Sequence, residues 1–136
     1  MRSIKHIAIG VIGLISFAGC ATAADLTGAE IKSLISGNTI YLETAAGSVT
    51  GTQGKGVIYY STEGTALYKT PKGEMWHGTW AIKENTNCTN WKEAGKAACS
   101  KFDKQGDTIS IINAENGQVR ATIVKTPPGN MEKLAP

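Results

Sequence analysis

Three patterns of apolar and polar positions divide the chain. Residues 7–17 are an apolar run, Ile31, Leu34 and Ile35 recur at helical spacing, and the chain after Asn38 alternates in short stretches. The apolar run follows Arg2 and Lys5 and precedes small residues from Ala18 to Ala24. That order is a secretory signal peptide, so residues 1–23 are expected to be removed on export. Eleven apolar residues are too few to span a bilayer, so no transmembrane segment is expected.

The second pattern opens on a capping box. Thr27 is placed to cap the amide of Glu30 while the Glu30 carboxylate reaches back, and Leu26 is placed to staple onto Ile31. Gly37-Asn38 ends this helix after about two turns, too short to stand alone, so its apolar face must dock on something. The third pattern is strand and turn. Residues 39–43, 55–61, 65–70, 74–83, 108–113 and 118–125 are rich in β-branched and aromatic residues, with 87–91 and 98–102 as two further short strands. Glu63-Gly64, Lys72-Gly73 and Asn116-Gly117 mark hairpins. Met75, His77, Thr79 and Ala81 alternate with Trp76, Gly78, Trp80 and Ile82, which makes the indole-bearing face the core side. Strands this short and this closely spaced predict a mainly β fold, a small antiparallel meander closed into a barrel-like sheet with a short N-terminal capping helix.

Residues 24–126 form one β-rich domain in this reading, and 127–136, which follow the Pro127-Pro128-Gly129 stop, form a loosely held C-terminal tail. The glycine-bearing stretch 47–56 is expected to be a mobile hairpin tip. It has no GK[ST] ending and is not followed by a helix pattern, as a phosphate-binding loop would require.

Composition bears on the partner class and on the cysteines. Loss of Arg2 and Lys5 leaves 12 basic residues against 11 acidic, a net charge of +1, which argues against a nucleic-acid partner. Lys92, Lys96, Lys101 and Lys104 then read as a solvated basic loop. Of three cysteines, Cys20 is processed with the signal, leaving Cys88 and Cys99 as an even pair in an oxidising compartment. No CxxC is present, so a structural disulfide is expected. Two processing sites compete. Ala21-Thr22-Ala23 fits ordinary signal peptidase and a soluble periplasmic product, whereas Phe17-Ala18-Gly19-Cys20 is similar to a lipobox that would leave a lipid anchor at Cys20.

Candidate chemistry is sparse. After residue 23 the only histidine is His77, and no GxSxG or HExxH is present, which speaks against a serine triad or a zinc site. Glu63, Glu74, Glu84 and Glu93 sit mostly beside lysines and turns and single out no catalytic pair, so a small hydrolase is the weakest reading. Met75 and His77 share one side of a strand. With Trp76 or Met131 near, they form a thioether–imidazole set suited to copper, the alternative reading. Tyr59, Tyr60, Tyr68, Trp76 and Trp91 carry the preferred one, an aromatic groove on a rigid sheet that binds a small ligand or an envelope protein without catalysis.

The order of landmarks Leu26-Thr27-Gly28-Ala29-Glu30-Ile31, Gly37-Asn38-Thr39, Tyr59-Tyr60 before Gly64, Gly78-Thr79-Trp80, Cys88 with Trp91, Cys99 and Gly106-Asp107 spans most of residues 26–112. It resembles an uncharacterised family (a domain of unknown function) of small secreted proteobacterial periplasmic proteins. The resemblance implies a β-rich domain with an N-terminal helix and one disulfide, and it brings no catalytic residues.

Overall fold

Thr27 starts the helix as its spacing predicts. In the computed structural model, which describes residues 24–136, the Glu30 amide donates to Thr27 Oγ1 at 3.2 Å and the Thr27 amide donates to Glu30 Oε1 at 3.1 Å. Residues 1–23, the expected signal peptide with Cys20, lie outside the described residues. Helix α1 (Gly28–Ile35) follows the short strand β1 (Ala24–Asp25) and stops at Ser36, with Gly37 at φ +74° turning the chain. Its Ile31 and Ile35 are wholly buried in one cluster with Ile40, Tyr60 and Trp80. Burial of each isoleucine stabilises the docked helix by roughly 1.5–3 kcal/mol, which its own hydrogen bonds could not supply.

The alternating stretches form β2 (Asn38–Thr44), β3 (Gly54–Tyr60), β4 (Thr65–Lys69), β5 (Met75–Lys83), β6 (Thr86–Trp91), β7 (Lys96–Gln105), β8 (Thr108–Asn113) and β9 (Val119–Lys125). Each pairs antiparallel with the next. β9 also pairs with β2, so eight strands close into a barrel, with β1 added beside β7. β7 is twice the length its sequence predicts, because residues 96–100 pair with β6 and residues 100–105 with β8. Lys96, Lys101 and Lys104 therefore lie on a strand and not in a loop, although their side chains are exposed as expected.

The registers sort the connections onto two ends of the barrel. One end carries α1 and the turns 61–64, 84–85 and 106–107; the other carries 45–53, 70–74, 92–95 and 114–118. α1 contacts β2, β5 and β6. It sits close because Gly28 has no side chain: a Cβ there would collide with the Glu84 carbonyl and lie 2.9 Å from Ile82 Cγ2. Cys88 stands directly opposite Cys99 in the β6–β7 register, with Cα atoms 4.0 Å apart, and the two form the expected disulfide. No helix among the described residues is long and apolar enough to cross a membrane.

Two segments are better held than their composition predicts. The tail folds back on the start of β2, where Thr39 donates its amide to Pro127 O at 2.9 Å and Tyr41 Oη donates to Glu132 Oε1 at 2.7 Å. The 45–53 connection is tied to Thr44, whose hydroxyl donates to Thr52 O at 2.7 Å, and it turns Val49 onto the core. Both bind through backbone groups and hydroxyls, which hydrophobic patterning does not register.

Candidate functional site

Alternation along β3 to β6 decides where the aromatic residues go. Tyr60, Tyr68, Trp76 and Trp91 share the inner face of the barrel, and Tyr59, one residue out of step, faces outward. An exposed groove of all five therefore does not form. Tyr60, Tyr68 and Trp91 are 4 %, 1 % and 3 % exposed, because closure of the sheet covers the face that an open sheet would have left to solvent. Inside, they form two clusters. Tyr60 meets Trp80 edge-on at 5.6 Å near the helix end, and Tyr68, Trp76 and Trp91 pack at 5.6–6.4 Å toward the other end. Burial raises the phenol pKa of both tyrosines; the Thr50 hydroxyl beside Tyr68 and those of Thr89 and Asn87's amide beside Tyr60 oppose it.

A few polar groups share this interior with Leu42, Ile58, Phe102 and Ile111. Asn87, Thr89 and Ser100 project inward from β6 and β7, and Thr44 from β2. The remaining group, Arg120, arrives through a β-bulge. Ile111 opposes Ala121 and Ile112 opposes Val119, which leaves Arg120 as the extra residue of β9. A bulge re-aims one side chain, and here it brings Arg120 to the inner face next to Ala121. These residues and the aromatic wall enclose a cavity of about 50 Å³. That is room for roughly three or four waters. Two buried polar atoms on its lining, Asn87 Oδ1 and Arg120 Nε, have no hydrogen-bond partner among the described residues. Burial also lowers the guanidinium pKa from its ordinary value, and Glu115 opposes this.

The cavity shares part of its lining with a larger cleft. Ser48, Val49, Ala98 and Arg120 line both the inner cavity and a mouth cleft of about 490 Å³ between the 45–53 and 114–118 connections. The cleft is large enough for a small organic ligand, for which sites of about 300–1,000 Å³ are usual. Gly56 opens the aromatic side of the same end, since a Cβ there would lie 2.9 Å from Tyr68 Cε2 and 3.2 Å from Tyr68 Oη.

Met75 and His77 do share one face of β5, the outer one. The His77 ring is engaged by Glu93: Nδ1 lies 3.0 Å from Glu93 Oε1, and the His77 amide donates to Oε2 at 2.9 Å. Burial raises the Glu93 pKa, but the bonds from the His77 ring and amide outweigh it, so the carboxyl lies below its ordinary 4.5. No group of three or more His, Cys, Asp and Glu is placed to hold a metal among the described residues.

Sequence reasoning missed Arg120, Asn87 and Thr89. A period-2 reading of β9 puts Val119, Ala121 and Ile123 on one face and Arg120 on the other, and no residue type near it announces the bulge. Asn87 and Thr89 were legible, since they share the parity of Trp91 on β6. No protein-family model, curated protein or solved structure matches this chain.

Proposed function

We propose that the exported chain is a non-catalytic binding module of the periplasm, and that it takes a small ligand at the barrel mouth, over Tyr68 and Trp91. The observation that carries this reading is the pair of unmatched polar atoms, Asn87 Oδ1 and Arg120 Nε, set in a buried lining that they share with Tyr60, Tyr68 and Trp91. Unpaired buried polar atoms cost about 1–3 kcal/mol each, and a well-packed core would have used apolar residues at these positions. Aromatic surface for contact and a few fixed polar atoms for orientation are what a small-molecule site combines. The Cys88–Cys99 bridge supports an oxidising compartment. A protein partner is the less favoured ligand, because closure of the barrel removes the exposed aromatic groove that such a partner would grip.

The test is native mass spectrometry of the chain isolated from its own envelope, followed by a small-molecule panel read through tryptophan fluorescence. The expected result is an organic adduct, or a panel member, whose binding is abolished when Ala98→Phe fills the position shared by cavity and mouth. Binding that survives in folded Ala98→Phe would move the site elsewhere, and no ligand in either experiment would refute the reading.

A further inference from the structure

The chemistry of the mouth specifies the ligand further, given the binding role proposed above. We infer that the mouth takes a small monocarboxylate, its carboxylate on the Arg120 guanidinium and its apolar body in the cleft beside Val49, Ala94 and Ala98. Arg120 is turned to the inside by a bulge that adds one residue to β9 and breaks the ladder there. The Nε it brings in is buried and has no acceptor among the described residues. Glu115 offsets part of its charge, but no acceptor meets Nε, so the guanidinium can still receive an anion.

Charge and shape narrow the class. The mouth lining carries Arg120, Lys96 and Glu115, a formal net charge of +1, which one carboxylate neutralises and a doubly charged phosphate would exceed. The planar guanidinium fork matches a planar carboxylate with two parallel bonds. Val49, Ala94, Ala97 and Ala98 supply small apolar surface around it, suited to a compact hydrocarbon or aromatic body. Asn87 Oδ1, a buried acceptor without a partner among the described residues, calls for a donor, and a hydroxyl on the ligand or a retained water meets it.

The experiment uses the disulfide-bonded chain 24–136 and two probes of nearly the same shape, benzoate and benzamide, in calorimetric titrations at physiological salt. Benzoate is expected to bind at least tenfold more tightly than benzamide, as a charge-assisted pair requires. Arg120→Gln is expected to remove that preference and Arg120→Lys to keep part of it. The Asn87 side-chain amide resonance should move on adding benzoate. Equal binding of the two probes, or benzoate binding unchanged in Arg120→Gln, would overturn the carboxylate assignment while leaving the binding module intact. No binding of either probe would overturn the assignment too, and the panel of the preceding section would then decide the module separately. The comparison of probes on the unsubstituted chain needs no variant to fold.

Discussion

Replacement of Arg120 by methionine should make the protein more stable while removing the proposed anion site. Only one guanidinium nitrogen, Nε, is buried without a partner, so the relevant cost is that of one unmatched N–H, about 1–3 kcal/mol. Water in the 50 Å³ cavity returns part of this, since the space admits a few molecules. Methionine keeps an unbranched stem in a cavity that Ala98 and Ala121 also line, and it fills irregular space well, so little packing is lost. The net expectation for Arg120→Met is a gain of about 1 kcal/mol, or about 4 °C in Tm for a domain of this size. Urea unfolding followed by circular dichroism measures it, with an unchanged m-value showing that the two unfolding transitions expose the same surface. A loss of about 1 kcal/mol or more would contradict an unmatched Nε as the dominant cost. It would mean that Arg120 holds the bulge in place and is structural.

The remaining expectations concern the scaffold. Reduction of Cys88–Cys99, or its replacement by a serine pair, should cost about 2–3 kcal/mol by freeing a short loop in the unfolded chain, read as a lower urea midpoint. Gly56→Ala should cost about 1–3 kcal/mol by pressing a methyl onto the Tyr68 ring and should alter near-ultraviolet circular dichroism through Tyr68 and its neighbour Trp91. Glu93 has a folded pKa below its ordinary 4.5, so its contribution is present above that pH and is lost as pH falls through the folded value. The stability gap between the parent and Glu93→Gln should therefore close on acidification from pH 6 to about pH 3; a gap that widens there would contradict the His77–Glu93 pairing.

Particular residues show where legibility ended. Thr27 and Glu30 declared the helix start because capping is a contact three residues long. Trp76 and Trp80 declared the core side of β5 because strand alternation is strictly local. Cys88 and Cys99 declared their bond by being an even pair. By contrast, Tyr60, Tyr68 and Trp91 were assigned to an exposed groove because nothing in a single strand shows how far the sheet curls, whereas alternation alone already separates Tyr59 from Tyr60. The glycine-bearing stretch 47–56 looked mobile because two of its restraints, the Thr44 hydroxyl and the core under Val49, lie outside the stretch itself.

Taken alone, the sequence determined the element types, the disulfide pair, the short capped helix and the mainly β class, since each depends on spacing within a dozen residues. The tertiary structure decided that β9 returns to β2, that the aromatic residues are enclosed, and that Arg120 faces inward. Each of these depends on register between strands distant in the chain, where a single extra residue reverses which face a side chain occupies.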